Sequence, residues 1–262
     1  MWFLISMTEI KIIEHTKKDL SNCLLVVAFP TVGLISSIAG YHIVKTLKLK
    51  EIGVIISNEF QPTTVIHNGK PSAPVRIYAG KKNCGPKNAC DQIAVIISEF
   101  LPPFKTMKPL SDLILDWAER KKCRFVIGLE GTHTDTQKKE KKPEVYGVIS
   151  NKSLKATLNE YNIQQTKEGM ITGVMGVMLY TAALRGQDVM CLLSKAHSKF
   201  PDSRAAANLV DKLDIMLPGI KIDPKPLYEE AEEIEKQIRK HIEESKPTVP
   251  PIVPPIPTGM YR

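Results

Sequence analysis

Hydrophobic positions along the first three-quarters of the chain fall into short continuous runs separated by stretches of helical spacing. Cys23 to Ala28 is an unbroken apolar run that ends at Phe29-Pro30, the signature of a strand buried on both faces. A helix is predicted from about Leu34 to Leu47, with small residues at Ser36, Ser37, Ala39 and Gly40. Ile52 to Ile56, Pro74 to Ala79, Ile93 to Ile97 and Phe125 to Leu129 read as further strands. Ser111 to Lys121 reads as a helix with Ser111 as its N-cap. Later, Asp202 is the expected N-cap of a helix. Its apolar face is Ala206, Leu209, Val210, Leu213 and Leu217, and Pro218-Gly219 stops it. Strands interleaved with helices predict an α/β fold with helix layers covering a parallel or mixed sheet.

The pattern changes after Pro224. Leu227, Ala231, Ile234, Ile238 and either His241 or Ile242 form an apolar seam near heptad spacing, flanked by Glu229, Glu230, Glu232, Glu233, Glu235, Glu243 and Glu244. Acids lead and bases follow, so the charge order agrees with the helix dipole. About twenty residues is short for an isolated helix, so the seam is expected to dock on the body or on a neighbouring subunit. Pro247, Pro250, Pro251, Pro254, Pro255 and Pro257 then remove six backbone donors within eleven residues, which predicts an extended polyproline-like arm. At roughly 3 Å per residue it reaches about 40 Å from Pro247 to Met260. Three parts result: a body over 1–223, an amphipathic helix over 224–246 and a Pro-rich tail over 247–262.

Composition narrows the function. The 262 residues are 43% hydrophobic and 24% charged, a globular balance. No apolar run approaches the roughly 18 residues of a membrane span. Met1-Trp2-Phe3-Leu4-Ile5 is short for a signal peptide and has no basic lead. The expected compartment is the cytoplasm, with the start at Met1 or Met7. Five cysteines, Cys23, Cys84, Cys90, Cys123 and Cys191, make neither a secreted disulfide framework nor a zinc spacing and read as ordinary thiols, mostly core fillers. The net charge of +8 is scattered in lysine pairs. Its one dense cluster, Lys138 to Lys142, carries no aromatic ring, so a solvated loop is expected rather than a nucleic-acid groove.

Catalytic signatures are sparse. The chain has no phosphate-binding P-loop, no Gly-x-Ser-x-Gly elbow and no paired metal spacing among His15, His42, His67, His133, His197 and His241. Gly33 and Gly173-Val174-Met175-Gly176 admit an anion at a helix start, but glycines at strand–helix junctions are expected there for close packing. Gly128-Leu129-Glu130-Gly131-Thr132-His133-Thr134-Asp135 is the most site-like stretch, at a strand's carboxyl end with Gly131 to Asp135 expected as a loop. Nothing links it to a nucleophile, and it reads as structural. No cofactor, metal or catalytic residue is expected. The arm, by contrast, ends in Gly259-Met260-Tyr261-Arg262. A rigid ring with a hydroxyl, beside a terminal carboxylate, suits a docking tip.

An ordered set of segments resembles the archaeal branch of the proteasome assembly chaperone family. The set comprises Ala28-Phe29-Pro30-Thr31-Val32-Gly33-Leu34, Phe60-Gln61-Pro62, Pro74-Val75-Arg76-Ile77-Tyr78 and Ser98-Glu99-Phe100-Leu101-Pro102. It continues through Ile127-Gly128-Leu129-Glu130-Gly131, Gly169 to Gly176 and Phe200-Pro201-Asp202-Ser203-Arg204-Ala205-Ala206. The resemblance implies a three-layer α/β/α sandwich similar to purine nucleoside phosphorylases without their activity. It implies a non-enzymatic, ATP-independent chaperone or activator whose partners are proteasome core-particle α-subunits. It also implies a homo-oligomer, with a tetramer favoured and a pentamer possible. Neither nucleic acid nor membrane is expected as a partner. Met260, Tyr261 and Arg262 match the hydrophobic-Tyr-any ending of proteasome activators, whose tails insert between α-subunits and whose carboxylate pairs with a lysine. A nucleoside-type enzyme and a scaffold binding a paralogue stand as alternatives.

Overall fold

A computed structural model describes residues 9–67, 69–84, 90–133, 144–196, 201–217 and 221–232. The strands are β1 (Ile10–Glu14), β2 (Cys23–Ala28), β3 (Lys50–Ser57), β4 (Val65–His67), β5 (Lys70–Ser72), β6 (Val75–Cys84), β7 (Cys90–Ser98), β8 (Phe125–His133), β9 (Val145–Ile149), β10 (Gln164–Gln165) and β11 (Val189–Ala196). The helices are α1 (Ile35–Thr46), α2 (Phe104–Arg120), α3 (Lys155–Glu160), α4 (Gly173–Arg185) and α5 (Ser203–Met216). Among the described residues, nine strands make one mixed sheet in the order β1-β3-β6-β7-β2-β8-β11-β9-β10, and β4 and β5 form a separate hairpin. The centre is parallel: β2 pairs in parallel with β7 and β8, and β8 with β11. Antiparallel partners extend it on both sides.

The apolar runs explain the layering. Along β2, Leu24, Val26 and Ala28 face a core shared with α1 and α5, while Cys23, Leu25 and Val27 face a second core shared with α2 and α4. All six residues are buried, so the strand reads as continuous rather than alternating. The predicted α/β sandwich with helices on both faces is the observed fold.

Two elements differ from expectation. Helix α2 begins at Phe104 rather than Ser111, and Pro109 sits inside it. Proline is tolerated near a helix start because the first turn's amides have no intrahelical acceptor, although Pro109 lies one turn deeper than the favoured place. Ser111 is therefore no cap. Its hydroxyl lies 2.7 Å from the Met107 carbonyl and 3.2 Å from the Val174 carbonyl, which ties α2 to α4. The second difference is that Gly131, Thr132 and His133 continue β8 instead of opening a loop. They pair with Ser194, Lys195 and Ala196 of β11. Asp202 caps α5 as expected, accepting from the Ala205 amide at 2.9 Å.

Candidate functional site

The carboxyl ends of the central strands are the first place to look for chemistry in a parallel sheet. Here they are knitted together by backbone. The Thr31 hydroxyl accepts from the Gly131 amide at 3.2 Å and lies 2.8 Å from the Ser36 hydroxyl, which donates to the Leu129 carbonyl. The Asp202 amide donates to the Gly33 carbonyl. A side chain at Gly131 would place its Cβ 2.4 Å from the Val32 carbonyl oxygen, so only glycine allows the β2–α1 turn to approach β8. Gly176 is equally constrained, since a Cβ there would lie 2.1 Å from the Ile171 carbonyl oxygen. At both positions glycine serves close backbone approach. Thr132 is half-buried and His133 exposed. Thr134 and Asp135 lie outside the described residues.

Two charged groups to which the sequence assigns no role of their own are buried in this region. Arg76 of β6 is 1% exposed and bonds through Nη2 to the Tyr41 hydroxyl and the Glu99 carboxylate. Its guanidinium carbon stands 5.7 Å from the ring centres of both Tyr41 and Tyr78. Glu130 of β8 is 8% exposed, and burial pushes its carboxyl well above the usual range. A folded state that holds this proton longer than the unfolded chain binds more protons between the ordinary and the raised value. Stability therefore falls as pH rises through that window. Glu130→Gln removes the ionisation at nearly constant shape. Its stability relative to the parent should be near parity at pH 4 and grow with pH, by up to about 1.4 kcal/mol per unit. Urea midpoints at pH 4, 6 and 8 check this, and a pH-independent difference contradicts it.

Beside β9 and β10 lies a cleft of about 710 Å³. Its apolar wall includes Val148, Ile171, Leu179 and Leu193, and its rim carries Gln164, Gln165 and Lys167. Helix α4 turns Tyr180 and Leu184 outward one turn apart, 51% and 84% exposed, while Val177 packs against the core. Phe104, Leu101 and Met170 are also solvent-facing. Among the described residues there is no group of three or more His, Cys, Asp or Glu able to hold a metal. No described helix is long and apolar enough to cross a membrane.

The C-terminal segment starts on the body. Residues 225–232 are helical, and Leu227 and Ala231 are each 5% exposed. Leu227 enters the core formed by α1 and α5, and the Tyr228 hydroxyl donates to Asn208 Oδ1 at 2.9 Å. His42 Nε2 lies 2.7 Å from the Asp223 carbonyl oxygen. Ile234, Ile238 and Ile242 of the seam lie outside the described residues, as do Met260, Tyr261 and Arg262.

With this geometry in view, comparison with known proteins is informative. The profile of the PAC2 family matches residues 25–242. The chain belongs to the PAC2 family. An uncharacterized protein from Methanocaldococcus jannaschii is 29% identical over 236 residues, covering 90% of this chain and 92% of its own length. The crystal structure of Pyrococcus furiosus PbaA, an archaeal homolog of proteasome-assembly chaperone, matches with a TM-score of 0.77 at 28% identity, over 90% of this chain and 92% of that one. Pyrococcus furiosus PbaB, an archaeal proteasome activator, shares the fold with a TM-score of 0.77 at 21% identity, over 90% and 100% of the two chains. The PAC2 match thus runs from within β2 through both helix layers to beyond α5, and β1 lies outside it.

Proposed function

We propose that this PAC2-family protein is a non-enzymatic, ATP-independent proteasome assembly chaperone or activator. It acts in the cytoplasm as a homo-oligomer that presents its C-terminal tails to the α-ring of the core particle. The observation that carries the reading is a sequence ending in Met260-Tyr261-Arg262 after a proline-rich stretch, on a fold shared with a proteasome-assembly chaperone homolog and a proteasome activator. Several tails on one oligomer matter because each short tail binds weakly, while tethered copies act at raised effective concentration.

Two apolar surfaces compete as the contact between copies: the seam continuing through Ile234, Ile238 and Ile242, and the outward face of α4. Introducing carboxylates into a buried contact desolvates them without partners. Light scattering is expected to show a lower mass for Ile234→Glu/Ile238→Glu. The same measurement on Tyr180→Glu/Leu184→Glu tests the α4 face. An unchanged mass for the first pair refutes the seam as the contact.

The functional reading is tested by capture of proteasome core particles with the full chain and with a chain ending at residue 246. The full chain is expected to retain core particles and the shortened one to lose them. Equal retention by both refutes tail docking, and retention by neither refutes the proteasome as partner.

A further inference from the structure

Cys23 opens β2 and Cys123 lies in the turn between α2 and β8, a hundred residues later, yet their sulfur atoms stand 2.8 Å apart. Nothing fits between two sulfurs at that separation, which is within an ångström of the about 2.05 Å of a disulfide bond. Backbone hydrogen bonds hold the pair from both sides. The Asn22 amide donates to the Lys122 carbonyl at 2.9 Å, and the Arg124 amide donates to the Cys23 carbonyl at 2.8 Å. The Cys123 amide donates to the Ala118 carbonyl at 2.9 Å, which anchors the turn to the end of α2. Both residues that precede the cysteines adopt left-handed backbone, Asn22 with φ of 61° and Lys122 with φ of 53°. Two tight turns therefore deliver two thiols to one point, at the edge where β2 and β8 begin to pair.

We propose that Cys23 and Cys123 form an oxidation site that takes a hydroperoxide as its two-electron oxidant and closes to an intramolecular disulfide. The two thiols are not equivalent. Cys23 is fully buried, while Cys123 keeps partial access to solvent. The Cys23 thiol, hydrogen-bonded to Cys123 and buried, is pushed well above the usual thiol range, so Cys123 reacts first. The Cys123 thiolate attacks one peroxide oxygen and the O–O bond breaks. The departing hydroxide takes a proton to leave as water, and Cys123 becomes a sulfenic acid. The Cys23 sulfur then attacks the Cys123 sulfur. The S–S bond forms as the S–O bond breaks, and the released hydroxide takes up the proton shed by Cys23. Two thiols and one hydrogen peroxide give one disulfide and two waters, with two electrons passing from sulfur to oxygen. The bond would tie the first residue of β2 to the turn leading into β8 and close a loop of about a hundred residues, the kind of cross-link that most restricts the unfolded chain. Cys191, buried in the same core, serves as an internal control.

The experiment treats the full chain with hydrogen peroxide or with dithiothreitol, alkylates it in denaturant and maps its peptides without reduction. After peroxide, the peptides carrying Cys23 and Cys123 are expected as one linked species, two hydrogens lighter than their sum and separated by dithiothreitol. Cys191 is expected as a fully alkylated thiol. The peroxide-treated protein should melt several degrees above the reduced one, and Cys123→Ser should show neither the link nor the shift. The proposal is overturned if both thiols stay alkylatable, if Cys123 stops at a sulfinic acid, or if it links to a different chain. The wild-type peptide map decides each of these by itself.

Discussion

Tyr261→Ala is expected to weaken binding to proteasome core particles at least tenfold while leaving the melting temperature of the protein unchanged. An aromatic side chain that fills a partner's pocket contributes roughly 2 kcal/mol or more to an interface, and 1.4 kcal/mol is already a factor of ten. In the proposed homo-oligomer avidity enlarges the effect, because every tail carries the same substitution. The two described cores draw on side chains from Ile10 to Tyr228, so the body is expected to melt as before. Residues added after Arg262 move the carboxylate and should do comparable damage. The check is a binding titration of wild type and variant against purified core particles, beside thermal melts of both. Binding within twofold of wild type removes the tail from the mechanism. Reduced binding with a lowered melting temperature would instead mean that Tyr261 serves the fold.

The sequence was most legible where burial is two-sided or where a cap stands alone. Strand β2 was read with its observed bounds because all six residues are buried and Phe29-Pro30 marks the end. Asp202 was read correctly because a carboxylate before a run of alanines and leucines has one local job. Helix α2 starts at Phe104 rather than at the expected cap Ser111, because capping is a local habit of serine, whereas this hydroxyl is taken up by the Met107 and Val174 carbonyls. Gly131 to His133 looked like a loop because glycine and polar residues usually mark one. The pairing with Ser194 to Ala196 that keeps them extended comes from a strand sixty residues away. Helix α4 is apolar nearly all round, from Val174 through Leu184, and that signal was present. A helix without a polar face is either enclosed or destined for a partner, and Tyr180 and Leu184 are not enclosed. The charged side chains were the hardest. Arg76 sits in an apolar run, where a single polar residue is normally read as the solvent side of a strand, and only the fold brings Tyr41 and Glu99 over it.

That buried arginine supports the second large prediction. Arg76 is held by the Glu99 carboxylate, the Tyr41 hydroxyl and the faces of two tyrosine rings, and its Nε has no hydrogen-bond partner. Its side chain is 2% exposed, whereas that of Glu99 is 29% exposed. Removing the carboxylate strands a positive charge with only a hydroxyl and two rings to offset its lost hydration. Breaking a buried pair from one side costs about 3–5 kcal/mol. The partial exposure of Glu99 puts Glu99→Ala at the lower end, about 3 kcal/mol. For a chain of this size the melting temperature should drop by roughly 6–12 °C. Arg76→Met combined with Glu99→Ala removes both charges and keeps most of the buried volume, so the double variant should be more stable than Glu99→Ala alone. Denaturant unfolding of the parent, the single and the double variant measures the coupling directly. If Glu99→Ala unfolds with the parent's midpoint, the guanidinium is satisfied by the tyrosines alone. If the double variant is the least stable of the three, the Arg76–Glu99 pair is not what holds the β6–β7 edge beneath α1.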